Sequence, residues 1–166
     1  IHPGQLRMQQ MNNDSATILY WWEDMTPGRC FEAGPRSVSE EEIVRFARDY
    51  DPQYYHTDAV AAKDSPFGGL ISSGWMSCGI AMRMMCDSYL MRSSCIGSPG
   101  VDGLRWLKPV RAGDMLRMRS TVQEQTASSK VPTRGTVRFL LELINQNDEI
   151  VLTMEGRQLF TRRQPA

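Results

Sequence analysis

The chain has 166 residues, 41% of them hydrophobic, and its 19 basic residues balance its 19 acidic ones. That length suits one domain with a real core, and a balanced charge sets up no long-range field toward nucleic acid or an anionic membrane surface. No apolar run approaches the length of a spanning helix, and Cys30, Cys78, Cys86 and Cys95 have neither CxxC spacing nor histidines at zinc-finger distance, so they read as reduced core residues of a cytoplasmic protein.

Residues 1–16 are polar and aperiodic. They are expected to be a disordered tail or remnant ahead of a single domain over residues 17–166, and His2 falls there without a role. Tyr20 to Gly28 is an aromatic entry, expected to cover a core edge, followed by a Pro27-Gly28 turn. Arg29 to Val38 reads as a strand, and Gly34-Pro35 inside it predicts a bend or an edge position. Ser39-Glu40-Glu41-Glu42 is a capping box, with Ser39 and Glu42 placed to bond each other's backbone amides. Ile43, Phe46, Ala47 and Tyr50 then recur at helical spacing. Pro52 disfavours helical geometry in the residue before it, so this helix should stop near Asp51.

Beyond it an irregular, aromatic-rich segment carries His56, followed by a short helix-prone piece from Asp58 to Lys63 and a breaker-rich turn from Asp64 to Gly69. Trp75 to Met91 is apolar on most faces and predicts a helix buried nearly all round. Its opening, Ser72-Ser73-Gly74, would present unsatisfied amides and a partial positive charge, with a glycine permitting close approach of a ligand oxygen. Strands are expected at Val101 to Val110, Met115 to Glu124, Gly135 to Asn145 and Ile150 to Thr161, with polar turns between them. Arg105, Lys108 and Arg111 gather near one strand turn, either as phosphate contacts or as solvated charges.

Asp51-Pro52-Gln53-Tyr54-Tyr55-His56-Thr57-Asp58 resembles the Asp-x-Asn-Pro-x-His-x-Asp signature of the MaoC-like dehydratases and (R)-specific enoyl-CoA hydratases. Phe67-Gly68-Gly69-Leu70-Ile71 ahead of Ser73-Gly74, and Pro109-Val110-Arg111-Ala112-Gly113-Asp114, match the same family in the same order. The chain departs from it at Gln53 and Tyr54, where the family usually has Asn and Pro, and at Ser73, where hydratases often have His.

The resemblance implies an α+β hot-dog fold, a long antiparallel sheet wrapped around a central helix. It implies hydration or dehydration of the 2,3 double bond of an enoyl-CoA thioester, with Asp51 and His56 holding a water and moving protons. The Gly74 amide would polarise the thioester carbonyl, and Gln53, Tyr54, Ser73 and Trp75 would contact substrate. No metal is implied, and no cofactor beyond the coenzyme A of the acyl-CoA substrate. The expected partner is a second copy, giving a homodimer or higher homo-oligomer, with neither nucleic acid nor membrane involved. The residues alone leave blander readings open: Asp51 as a helix-end hydrogen bonder, His56 as a buried histidine donating to a carbonyl, Gly74 as a packing glycine, and Ser72 and Ser73 as caps. Two other functions stay open on the same fold, an acyl-CoA thioesterase and a non-catalytic acyl-thioester-binding protein.

Overall fold

A computed structural model describes residues 17–163; the expected tail and His2 lie outside them. Five strands form one antiparallel sheet: β1 (Cys30–Ser37), β2 (Cys95–Trp106), β3 (Met115–Ala127), β4 (Arg134–Ile144) and β5 (Ile150–Thr161). Their order is β1-β3-β4-β5-β2, so β3 to β5 form a meander and the two earlier strands are its edges. Helix α1 spans Glu40–Tyr50, the single-turn α2 spans Tyr54–Thr57, and the central α3 spans Gly74–Ser88. A long sheet curled over one central helix is the hot-dog arrangement that the resemblance implies.

Alternation drives the packing. Leu116, Met118, Ser120 and Val122 of β3 and Val137, Phe139, Leu141 and Leu143 of β4 are buried at every second position. They close on Met76, Ile80, Met84 and Met85 of α3. Burial of one such side chain contributes about 1.5–3 kcal/mol. Trp22 packs at the core edge, as the aromatic entry predicts, and a side chain at Gly135 would collide with its indole.

Five local differences from the sequence expectations stand out. The segment around His56 folds as α2 instead of staying irregular, and the Asp58 piece becomes a turn in which Asp58 Oδ1 accepts from the Val60 and Ala61 amides, ahead of a 3-10 turn. Strand β2 begins at Cys95, well before Val101, because an edge strand tolerates Gly97, Pro99 and Gly100 through three register shifts against β5. Helix α3 ends at Ser88, since Tyr89 leaves helical geometry, and Leu90–Arg92 continue as a 3-10 turn. The same helix is also not enclosed: the sheet covers one side, leaving Trp75 and Met82 exposed. Elsewhere Gly34-Pro35 is both a bend and an edge, sitting at a register shift of β1, where a Cβ at Gly34 would lie 2.7 Å from Leu116 O.

Candidate active site

The capping box forms, with Glu42 N donating to Ser39 Oγ and Ser39 N to Glu42 Oε2, so α1 is fixed at its start and stopped by Pro52 at its end. Asp51 is therefore its C-cap. From there the chain reverses through α2 and lays His56 back against it. His56 Nε2 lies 3.4 Å from Asp51 Oδ2, while His56 Nδ1 lies 2.7 Å from Ile71 O. A carbonyl only accepts, so Nδ1 carries the proton and neutral His56 turns a bare Nε2 lone pair toward the carboxylate. Two acceptors at that separation call for a shared proton or a shared water.

Asp51 draws donors from two other segments. Ser73 Oγ donates to Oδ2 at 2.7 Å, and Gln53 Nε2 donates to Oδ1 at 2.7 Å. Partial burial pushes the Asp51 carboxyl up, but these two hydrogen bonds, with the charge attraction of His56 whenever that ring is protonated, outweigh it, holding the group below the usual carboxylate value. Ser73 also accepts from the Trp75 amide at 3.3 Å as the N-cap of α3. One hydroxyl thus ties the carboxylate to the start of the central helix.

A cavity of about 530 Å³ opens onto these groups. Asp51, Gln53, Tyr55 and His56 form its polar side, Gly74 and Trp75 its helix side, and Trp106, Leu107, Val110 and Val151 an apolar wall. The Gly74 N–H, first of the helix, has no acceptor among the described residues.

Of the residues named from the sequence, Asp51, His56, Gly74, Gln53 and Trp75 line one cavity. Ser73 and Tyr54 do not. Ser73 has no exposed surface and acts on the site only through Asp51, and Tyr54 packs its ring edge-on against Tyr55 outside the wall. Arg111 and Lys108 have internal partners, Phe67 O for the first and Glu149 for the second, while Arg105 donates to its neighbour Leu104 O.

Two residues at the site were not singled out from the sequence. Trp106 Nε1 donates to Gly74 O at 3.0 Å, and a Cβ on Gly74 would lie 2.5 Å from the indole. The space that the glycine leaves over its Cα is therefore filled by Trp106, at a residue that lines the cavity. Tyr55 donates to Gln53 Oε1 and stands edge-on to the His56 ring. A tryptophan at the end of a strand and an aromatic beside a motif histidine carry no distinguishing sequence signal. Among the described residues no group of His, Cys, Asp and Glu gathers to hold a metal ion, and no helix is long and apolar enough to cross a membrane.

The family model of the MaoC-like domain matches residues 24–142. A crystal structure of the MaoC-like dehydratase from Rhodospirillum rubrum is 35% identical and superposes with a TM-score of 0.82, covering 87% of this chain and 99% of that one. An uncharacterized protein of Bacillus subtilis, YdeM, is 29% identical over 84% of this chain and 98% of its own length. The R-hydratase PhaJ1 of Pseudomonas aeruginosa, in unliganded form, is 21% identical with a TM-score of 0.67 over 88% of this chain and 91% of that one, a likeness of fold alone.

Proposed function

We propose that this chain, which belongs to the MaoC-like domain family, adds or removes water across the 2,3 double bond of an enoyl thioester carried on coenzyme A. The observation that carries the reading is the 3.4 Å approach of His56 Nε2 to Asp51 Oδ2 at the wall of a cavity that also receives the first turn of α3. The similarity to a protein described as a MaoC-like dehydratase supports the same reaction class.

In the hydration direction a water lies beside the pair, one hydrogen toward the Nε2 lone pair and the other toward the Asp51 carboxylate. Its oxygen bonds to C3 as one of its protons passes to Nε2, and the π electrons move toward the thioester. The carbonyl oxygen takes the developing negative charge and accepts from the Gly74 N–H. The imidazolium then returns its proton to C2, so atoms and charge balance and both groups end as they began. General acid–base help of this kind contributes about 10²–10⁴-fold, and one oxyanion donor about 10²–10³-fold. Asp51, kept ionised by Ser73 and Gln53, orients the water and stabilises the imidazolium. No cofactor beyond the coenzyme A of the substrate enters, and the cytoplasm is the proposed compartment.

A second copy of the chain completes this reading. Trp75 and Met82 on α3 and Ile96 and Val101 on edge strand β2 are exposed apolar residues that a homodimer would cover. Light scattering that finds only a monomer would count against it.

Purified protein given crotonyl-CoA and longer enoyl-CoAs is expected to lower the enoyl absorbance, and Asp51→Asn and His56→Ala to slow that change about 10²–10⁴-fold. Release of free thiol from saturated acyl-CoA, with the enoyl absorbance unchanged, would replace this proposal with a thioesterase.

A further inference from the structure

We infer that Tyr55 is a positioning residue for both members of the Asp51–His56 pair: its hydroxyl sets the Gln53 amide against Asp51, and its ring sets the plane of His56. The inference deepens the hydratase proposal, and its roles for Asp51 and His56 rest on that reading.

A glutamine amide has an accepting end and a donating end. The Tyr55 hydroxyl donates to Gln53 Oε1, which leaves Nε2 to face Asp51 Oδ1 at 2.7 Å. Were the amide reversed, its oxygen would meet a carboxylate oxygen and the two acceptors would repel. With the hydroxyl present, one orientation satisfies both ends. Without it, a long flexible side chain is anchored only by Asp51. Ser73 already supplies Oδ2, so Gln53 is what gives the second carboxylate oxygen its donor.

The ring and backbone of Tyr55 act on the other partner. Its centroid is 4.5 Å from that of His56 at 70°, and Phe67 backs it at 5.2 Å. The Tyr55 carbonyl accepts from the Ile71 amide at 3.1 Å, and the Ile71 carbonyl is the acceptor that holds His56 Nδ1. Tyr55 thereby anchors the residue that selects the His56 tautomer. The titratable groups facing the cavity beside Asp51 are His56, Tyr55 itself and Lys108, whose amine pairs with Glu149. Helix α3 brings no charge before Arg83, and Arg48 and Asp49 of the last turn of α1 are exposed.

The test is Tyr55→Phe, which removes the hydroxyl and keeps the ring. Losing a donor to the charged form favours the neutral one, so the midpoint of the Asp51 carboxyl, followed by carbon-detected NMR, should move to higher pH. The acid limb of kcat/KM on an enoyl-CoA should move the same way. Gln53→Ala should produce the same shift, and Tyr55→Phe should add nothing in that background. Tyr55→Leu should lower kcat beyond Tyr55→Phe without moving the Asp51 midpoint further. An Asp51 midpoint unmoved by Tyr55→Phe, with only the melting temperature lowered, would overturn the inference and leave the hydratase proposal standing. The NMR midpoint needs no turnover. A wild-type protein that does not hydrate enoyl-CoA, yet shows the shift, would therefore overturn the proposal and keep the positioning role.

Discussion

The two ends of α3 both bury polar groups, and they do so to opposite effect. At its start Ser73, Gln53 and His56 surround a carboxylate beside an open cavity, and the donors keep the Asp51 carboxyl below its usual value. At its end Tyr89 is fully buried, stacked between Phe31 at 4.4 Å and Phe139 at 5.5 Å, with its hydroxyl donating to Gln158 Oε1 at 3.3 Å. Burial pushes that phenol up to about 12, so it stays a neutral donor at any physiological pH. A hydrogen-bonded polar group sealed in aromatics specifies packing. One held ionised at a cavity wall stores the means for proton transfer.

Substitutions at the two ends should separate activity from stability. The largest effect expected is on turnover: Asp51→Asn or His56→Ala should lower kcat/KM about 10²–10⁴-fold, while Tyr89→Phe leaves it unchanged, both read from the initial rate of enoyl-CoA hydration. At the far end the order reverses. Tyr89→Ala should destabilise by about 3–5 kcal/mol and Tyr89→Phe by about 1 kcal/mol, measured by urea unfolding. Equal losses of activity at the two ends would erase the distinction.

A smaller effect concerns how the cavity end is built. Gly74→Ala puts a methyl 2.5 Å from the Trp106 indole, and such overpacking should cost about 1–3 kcal/mol. In a Trp106→Ala background the same change should cost less, and a strictly additive double mutant would show that the indole does not explain the glycine. Smallest is Ser73→Ala, which removes the cap of α3 at about 1 kcal/mol. It also removes a donor to Asp51. Because the folded Asp51 value lies below the unfolded one, its stabilisation is present above the usual carboxylate value and is lost as pH falls through the folded value. Ser73→Ala should therefore narrow the gap between neutral and acid stability, as seen in urea midpoints across that range.

The parts legible in the sequence are those with a local cause. The Ser39–Glu42 box, the stop at Asp51-Pro52 and the alternation of β3 from Met115 to Glu124 each depend on neighbours within a few residues, and each forms where expected. The start of β2 was hidden because Gly97, Pro99 and Gly100 are breakers everywhere except on an irregular edge. At the site, the spacing of Asp51 and His56 was visible, but their partners were not. Ser73 reaches Asp51 across 22 residues and Trp106 reaches Gly74 across 32, and periodicity carries no information about such pairings. The glycine stood out while the indole that requires it did not.

The most direct measurement is the fate of oxygen from water. Wild-type protein incubated with an enoyl-CoA in heavy-oxygen water, with products resolved by mass spectrometry, should yield intact 3-hydroxyacyl-CoA bearing the heavy oxygen at C3, and Asp51→Asn should form it about 10²–10⁴-fold more slowly. Heavy oxygen found instead in a free carboxylate, together with free coenzyme A, would contradict hydration at the Asp51–His56 pair.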